Sequence, residues 1–438
     1  MNDLFTEYGI RGNIDGNLDM RSSYRLGKAL GHYLDGNVAF MTDGRPTSNA
    51  VGMSVASGLM AMGCDVHEME SFPSEVFQLY VRDREEVSGG IIISDPDGNG
   101  RIAITSIFSD GEEMVTGAMD KIESYYDEDV EALSMNEVGR RRSCEEPLTH
   151  YISKVLAGTD VKSLRDAKIK VVIDCCNSVS SVALPRMISE MGLEMISLNT
   201  SVSERKSPED RIEDIRRLVD SNNCSIGVIA DDEKIRVVTN EGEAMTDDDL
   251  FAIIAKRVLT KAPGAIVATA TSSMTVDHVV DNYGGRIARS KVGQMSIIDR
   301  MKDTKSFLGG EDGRFVFSDH QYCYDMGYAL KTVLECIVRF GPLHNQLSML
   351  NENRKEREEF SCPENLKHSA VEMLHEIHAV TAKDVDDNLY LEFPEGTIRV
   401  IYRAKENNIS LICEPGKSDD WKGRMEDVKE ELTKFITF

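Results

Sequence analysis

A chain of 438 residues is too long for one ordinary hydrophobic core, so about two to four domains are expected. Hydrophobic residues make up 41% of it, which excludes a disordered chain. A formal charge of -25 excludes nucleic-acid phosphate and an anionic membrane as main partners, and it makes clustered Arg and Lys in loops informative about any anionic substrate. Nine cysteines are scattered without a C-x-x-C pair, and adjacent Cys175 and Cys176 suit neither an intrachain disulfide nor a zinc knuckle. The odd count, and an N-terminus carrying Asp3, Glu7 and Arg11 where a signal peptide would be apolar, predict a cytoplasmic protein. No apolar run approaches the roughly eighteen residues that a membrane span needs.

In chain order, Val38 to Met41 reads as a strand, Thr42 to Ser48 as a turn and Ala50 to Met62 as a helix stopped by Gly63, before a second strand at Asp65-Val66. Gly89 to Ile93 then reads as a buried strand. It ends at Ser94 and a loop of Asp95, Pro96, Asp97, Gly98, Asn99 and Gly100, the residue types that build tight turns. A hydroxyl there is held by the sheet and presented to the crevice where α/β proteins place ligands, although most serines after a strand are turn residues. The first pattern returns at Lys170 to Asp174, with a helix from Ser180 to Met191, a stop at Gly192 and a strand near Met195-Ile196. A third copy begins at Ala265 to Ala268, with a helix from Val276 to Asn282 and a stop at Gly284-Gly285. Each copy is a βαβ unit, which implies a parallel sheet with a right-handed crossover.

The C-terminal part differs. The charged stretch Asn351 to Glu359 reads as a solvated linker or helix face. From Asn365 the order is helix, strands at Leu389–Phe393, Ile398–Tyr402 and Ile409–Cys413, then a charged helix to Phe438, a small α+β domain with an antiparallel sheet. The predicted fold is therefore α/β: three similar domains with mixed, mainly parallel sheets over 1–145, 146–246 and 247–360, and a C-terminal α+β domain over 361–438.

This plan resembles that of the α-D-phosphohexomutases, the phosphomannomutase, phosphoglucomutase and phosphoglucosamine mutase enzymes, and the loops carry the resemblance. Tyr8-Gly9-Ile10-Arg11-Gly12 is similar to the family's opening S-G-I-R-G, with Tyr8 for serine. Asp43-Gly44-Arg45-Pro46-Thr47-Ser48 resembles its D-T-R-P-S-S. Ser94 falls at the phosphorylated serine of T-A-S-H-N-P, with Asp95 in place of the histidine in a shorter loop, and Asn99-Gly100 resembles the N-G that follows. Ala230-Asp231-Asp232-Glu233-Lys234-Ile235-Arg236 aligns with the metal loop D-G-D-G-D-R, whose three alternating carboxylates hold Mg²⁺ against the phosphoserine. Spacing by two turns side chains to one side of an extended loop, as an oxygen-seeking cation requires. Asp231 and Glu233 keep two ligands, Ile235 replaces the third, and Arg236 is retained. Asp247, Asp248 and Asp249, which follow, read as first-turn helix residues before they read as ligands. Lys291-Val292-Gly293 and Gly309-Gly310-Glu311-Asp312-Gly313-Arg314 resemble the K-V-G and G-G-E-x-S-G-H of the sugar loop, shortened. The last loop, Arg403-Ala404-Lys405-Glu406-Asn407-Asn408, lacks the R-P-S-G-T-E-P core that cradles the substrate phosphate. Arg403 and Lys405 would still attract one, and a plain hairpin turn at Asn407-Asn408 explains the same residues equally well.

The resemblance implies a hexose phosphate and a hexose bisphosphate as partners, Mg²⁺ at a weakened site, and catalysis by Ser94 with Arg11 and Asp95. Ser94, Asp231 and Glu233 would be the metal ligands, Asp95 standing in for the missing one. Arg236, Lys291, Glu311, Arg314, Arg403 and Lys405 would bind substrate. Three functions fit: an active phosphohexomutase; a catalytically impaired homologue that binds a sugar phosphate or acts as a regulator; and a phosphatase that has lost the return transfer. Which hexose phosphate binds, and the oligomeric state, are left open. Other templates fail. Gly416-Lys417-Ser418 has Leu411 where a P-loop needs its first glycine, no G-x-S-x-G surrounds Ser94, and the nine histidines show no ligand spacing.

Overall fold

The computed structural model describes residues 4–437 apart from 7–8, 97, 115, 203–206, 232–233, 351–355, 386–387, 395, 403–407 and 416–420. The chain forms two compact units, residues 1–244 with 316–338, and residues 245–315 with 339–438.

The first unit opens with a mixed sheet of β1 (Phe5–Thr6), β2 (Gly9–Asn13), β3 (Asn37–Thr42), β4 (Val66–Met69), β5 (Val87–Ser94), β6 (Arg101–Phe108) and β7 (Arg141–Ser143), in the order β1-β2-β6-β5-β3-β4-β7. Helices α1 (Met20–Leu34), α2 (Pro46–Ala61), α3 (Ser74–Arg82) and α4 (Thr116–Glu128) belong to the same segment. The β3–α2–β4 crossover is parallel, and β3 also runs parallel to β5. Strand β5 is fully buried on one face and partly buried on the other, in keeping with its β-branched run after two glycines. Those glycines let helices close in: a Cβ on Gly90 would stand 2.5 Å from the Phe77 ring of α3. Helix α2 starts at Pro46, four residues before the expected Ala50. Proline is preorganised for the first helical position and has no N–H to leave unsatisfied there, so the expected turn closes sooner.

Next come α5 (Pro147–Leu156) and α6 (Val161–Asp166), then β8 (Lys170–Asp174), α7 (Ser180–Glu190), β9 (Glu194–Leu198), α8 (Ile212–Asn222), β10 (Ile226–Ala230) and β11 (Ile235–Thr239). The sheet order is β11-β10-β8-β9, with β8 parallel to β9 and β10, and β11 antiparallel at the edge.

The second unit begins with α9 (Asp247–Leu259), β12 (Ala265–Thr269), α10 (Met274–Asn282), β13 (Arg286–Ser290), α11 (Gln294–Thr304) and β14 (Leu308–Glu311). Strand β12 is flanked in parallel by β13 and β14, the third βαβ unit. Thr246 and Asp249 form a capping box on α9, so the acidic run is a helix start as expected. The chain then passes through the antiparallel pair β15 (Arg314–Phe317) and β16 (Gln321–Tyr324) and α12 (Met326–Phe340), whose residues 316–338 belong to the first unit, and returns to the second at α13 (Leu343–Ser348).

The C-terminal segment is an antiparallel sheet of β17 (Glu356–Ser361), β18 (Ala382–Val385), β19 (Asn388–Phe393), β20 (Gly396–Tyr402) and β21 (Asn408–Pro415), in the order β17-β21-β20-β19-β18, with α14 (Glu364–Ile377) and α15 (Trp421–Thr437). Of the expected linker or helix face over Asn351–Glu359, residues 351–355 lie outside the described residues, and strand β17 corrects the expectation over Glu356–Glu359. It is an edge strand zipped to β21 by main-chain bonds from Glu356↔Cys413 to Ser361↔Asn408. Four of its six residues are charged, so the alternation that marks a half-buried strand is missing from its sequence.

Candidate active site

Ser94 is the last residue of β5 and is half-buried. Two antiparallel registers locate its neighbours. Ser94 stands opposite Ala103 on β6, and Arg11 on β2 stands opposite the same Ala103. Residues in register share a face of the sheet, and two strand spacings amount to roughly 10 Å, so the exposed Arg11 side chain and the Ser94 hydroxyl lie on one surface within reach of a common small ligand.

The turn after Ser94 is held by a polar network. The Asp95 N–H donates to Asp43 Oδ2 at 2.8 Å. The buried Asp95 carboxylate accepts from Thr47 Oγ1 at 2.6 Å, Gly100 N–H at 2.9 Å and Asn99 N–H at 3.1 Å. Arg45 donates to the Asp95 carbonyl and pairs with Asp43 at 3.3 Å, and Ser48 donates to Asp43. Desolvation raises the Asp95 pKa, but the Thr47 hydroxyl, the Gly100 and Asn99 amides and the Arg45 charge outweigh it and hold the carboxyl below its usual value. Both carboxylate oxygens are therefore spent on shaping the Ser94 loop. Asp43, Arg45 and Thr47 were legible only as a motif at the start of a helix; that they would fold onto the serine turn depends on β3 and β5 being neighbours.

Asp231 follows β10. Its N–H donates to the Lys234 carbonyl at 3.2 Å, and its Oδ1 accepts the Lys234 N–H at 3.0 Å, a tight turn that leads into β11. Ile235 opens β11 opposite Ala230 and is fully buried, so the third alternating position supplies core packing and no ligand oxygen. Arg236 follows, half-buried, opposite Ile229. Glu233 lies outside the described residues, and among the described residues no group of three or more His, Cys, Asp or Glu is poised for a metal. The oxygen chemistry of Ser94 and Asp231 nonetheless fits Mg²⁺, which keeps several waters and needs few protein ligands.

In the second unit, Glu311 ends β14 and is 3% exposed. Both its carboxylate oxygens accept the Gly293 N–H, at 3.2 Å each, at the start of α11. Gly293 has φ +113°, a backbone that side-chained residues rarely adopt, so glycine is required where the chain turns from Lys291 into the helix. Arg314 Nη1 is 4.0 Å from Glu311 Oε1. Glu311, Arg314 and the Lys291–Gly293 loop are thus brought together, with Lys291 exposed. Arg403 and Lys405 lie outside the described residues; β20 and β21 pair antiparallel as far as Tyr402↔Ile409.

Three α/β sheets that each end in a polar loop, followed by an antiparallel α+β segment, define a sugar-phosphate mutase architecture. Residues 2–132 match the phosphoglucomutase/phosphomannomutase alpha/beta/alpha domain I model, residues 149–239 the domain II model and residues 246–353 the domain III model. The chain belongs to the phosphoglucomutase/phosphomannomutase family. A probable phosphoglucosamine mutase of Methanopyrus kandleri is 28% identical, covering 100% of this chain and 98% of that protein. A phosphoglucosamine mutase of Methanococcus maripaludis is 26% identical, covering 96% of each. A phosphoglucomutase/phosphomannomutase family protein of Burkholderia thailandensis shares the fold, with a TM-score of 0.84 at 20% identity over 100% of this chain and 98% of that one.

Proposed function

We propose that this protein is a phosphohexomutase that interconverts a hexose 1-phosphate and the 6-phosphate through phospho-Ser94. The phosphoryl group leaves Ser94 Oγ for the free hydroxyl of the bound hexose phosphate, whose proton ends on Ser94 Oγ and is given back to the sugar oxygen in the return transfer. The bisphosphate turns end for end, and its other phosphate returns to Ser94 Oγ, which restores the phosphoserine. Such transfer depends on positioning and on offsetting charge at the moving group. The observation that carries this reading is the shared register of Arg11 and Ser94 across Ala103. It supports a guanidinium beside the transferring phosphoryl.

Asp95 and Asp43 act by holding the serine turn. Bound Mg²⁺ would add positive charge at the phosphoryl oxygens, and Ser94, Asp231 and Glu233 are the residues that would hold it. Arg236 serves the phosphate beside that loop. Lys291, Glu311 and Arg314 serve the sugar: a carboxylate accepts from two hydroxyls at once, and the cations favour a phosphorylated ligand. Arg403 and Lys405 serve the distal phosphate, and 1–145, 146–246, 247–360 and 361–438 are the working domain limits.

The names of the Methanopyrus kandleri and Methanococcus maripaludis relatives make glucosamine phosphate the first substrate to assay. All nine cysteines are free thiols, eight of them buried, which supports a reducing cytoplasmic setting. No helix among the described residues is long and apolar enough to cross a membrane.

The test is conversion of glucosamine, glucose and mannose 1-phosphates to 6-phosphates with Mg²⁺ and a catalytic amount of the matching bisphosphate. Turnover of one of them, lost in Ser94→Ala, supports the proposal. No turnover of any, with a sugar phosphate still bound, would shift the reading to the impaired, binding homologue; release of inorganic phosphate would shift it to a phosphatase.

A further inference from the structure

The turn that leaves β8 is polar and buried. Asp174, Ser178 and Ser180 are closed off from solvent, as are Cys175 and Cys176 among them. Burying a carboxylate and hydroxyls is costly unless each finds a partner. Asp174 Oδ1 accepts the Cys176 N–H at 2.9 Å, and its Oδ2 accepts the Asn199 side-chain amide at 2.7 Å. The N–H groups of Cys175 and Asn177 donate to the carbonyls of Leu198 and Asn199, at 3.1 and 3.0 Å, so the turn is laced to the end of β9. Cys176 and Asn177 have φ of 51° and 56°. Two left-handed residues with side chains in succession persist only where the surroundings hold them.

Ser180 is the first residue of α7, and its hydroxyl does not cap its own helix. It donates across to the carbonyl of Ala230, the last residue of β10, at 3.1 Å, and stands farther, 3.5 Å, from the Cys175 carbonyl. Ser178 Oγ lies 2.7 Å from Ser180 Oγ. A hydroxyl has one proton, so with that of Ser180 on Ala230 the Ser178 hydroxyl donates to Ser180. The order Ser178, Ser180, Ala230 is a chain in which each bond polarises the next. The topology creates the need for it. Strands β8 and β10 are parallel neighbours whose ladder ends at Ile229↔Asp174. Ala230 lies one residue beyond, fully buried, where β8 has already turned away. Ser180 supplies from the helix the donor that β8 no longer offers. At the other end of the same peptide, the Asp231 N–H donates to the Lys234 carbonyl at 3.2 Å, and Asp231 Oδ1 accepts the Lys234 N–H at 3.0 Å. The Ala230–Asp231 peptide is thus held by both its carbonyl and its N–H.

We propose that Ser180, supported by Ser178, is a positioning residue for Asp231: it fixes the plane of the peptide from which the Asp231 side chain departs, and so the direction in which that carboxylate is offered to Mg²⁺. The inference rests on the mutase reading above, in which Asp231 is a ligand, and adds a residue that acts through it. Magnesium demands near-ideal octahedral geometry, so a ligand whose backbone can rock binds it less well. With Ile235 in the core, fewer carboxylates share the ion, and the direction of each matters more.

The test uses the full chain, incubated with a hexose 1,6-bisphosphate and then freed of it. Mn²⁺ is the probe ion, and free Mn²⁺ is counted by electron paramagnetic resonance. Ser180→Ala should weaken Mn²⁺ binding about tenfold, as loss of a group behind a metal ligand does. Ser178→Ala removes a buried hydroxyl of the same turn but leaves Ser180 its proton for Ala230. It should lower the melting temperature comparably while Mn²⁺ affinity stays within about twofold of wild type. Ser180→Cys, which keeps a weak donor in nearly the same space, should fall between the two. Amide exchange supplies a readout that needs neither metal nor turnover: the Lys234 N–H should exchange faster in Ser180→Ala than in Ser178→Ala. Wild-type Mn²⁺ affinity in Ser180→Ala, or an equal loss in Ser178→Ala, would overturn the proposal. So would a wild type that binds no Mn²⁺, or an Asp231→Asn variant that binds it as wild type does. Mn²⁺ binding that depends on Asp231 and Ser180 in a protein that turns over no hexose phosphate would contradict the mutase reading and leave the positioning role in place.

Discussion

Ser94 and Asp95 are consecutive but predict opposite consequences when replaced. The Ser94 side chain is half-buried at the end of its strand, so Ser94→Ala should change stability by no more than about 0.5 kcal/mol while abolishing mutase activity. Asp95 is buried and accepts three hydrogen bonds, so Asp95→Ala should cost about 2–4 kcal/mol of unfolding free energy, read by urea titration at pH 7. The same residue gives a pH signature. Its folded pKa lies below the unfolded value, so its contribution is present above about pH 4 and is lost as pH falls through the folded pKa. The difference in stability between wild type and Asp95→Ala should therefore shrink in acid. A difference independent of pH would show that the carboxylate charge is not what holds the loop. If Asp95 ligates the metal instead, Asp95→Asn should weaken Mg²⁺ binding with little change in stability.

At the scale of elements, two features carry further tests. Helices α3 and α5 meet the segment that follows β16 through a buried polar centre. Tyr151 donates to Asp325 at 2.6 Å, Gln321 donates to it at 2.7 Å, His320 Nε2 is 3.2 Å away, and the Tyr328 N–H donates at 2.7 Å. Desolvation raises the Asp325 pKa, but His320, Tyr151 and the Tyr328 amide together bring it below the usual carboxylate value. Nearby, Asp83 is desolvated yet held low by Arg82, His150 and Lys154. Both depressed carboxyls stabilise the fold above their unfolded pKa of about 4 and cease to do so as pH falls through their folded values. Tyr151→Phe should lower stability by about 1–3 kcal/mol and move the acid-unfolding midpoint to higher pH, measured by circular dichroism. The second feature is Glu311 at the start of α11. Glu311→Gln keeps an acceptor for the Gly293 N–H but removes the charge proposed to accept from sugar hydroxyls, so KM for the hexose phosphate should rise about tenfold with a near-normal melting temperature. An unchanged KM would limit Glu311 to capping the helix.

For the whole molecule, the βαβ repeats were the most legible part of the sequence. Apolar runs such as Lys170–Asp174 followed by a helical pattern and a glycine leave few alternatives, and the three parallel crossovers formed there. What stayed hidden were features with no local period. Strand β17 is paired with β21 from Glu356 to Ser361, while its charged sequence shows no alternation. Ser180 reads as one more residue at the start of a helix until β8 is set beside β10. Ser94, Asp231 and Glu311 stood out as site candidates because each ends or directly follows a strand and enters a turn. The meaning of the changed neighbours required the contacts themselves: Asp95 turns inward to its loop, and Ile235 joins the core. In the proposed reaction Ser94 carries the phosphoryl group. Intact mass of the protein after incubation with a hexose 1,6-bisphosphate and Mg²⁺, with peptide mapping, tests it most directly. The account predicts a species heavier by one phosphoryl group, located at Ser94 and absent from Ser94→Ala; an unmodified mass, or a phosphoryl group on another residue that persists in that variant, would contradict it.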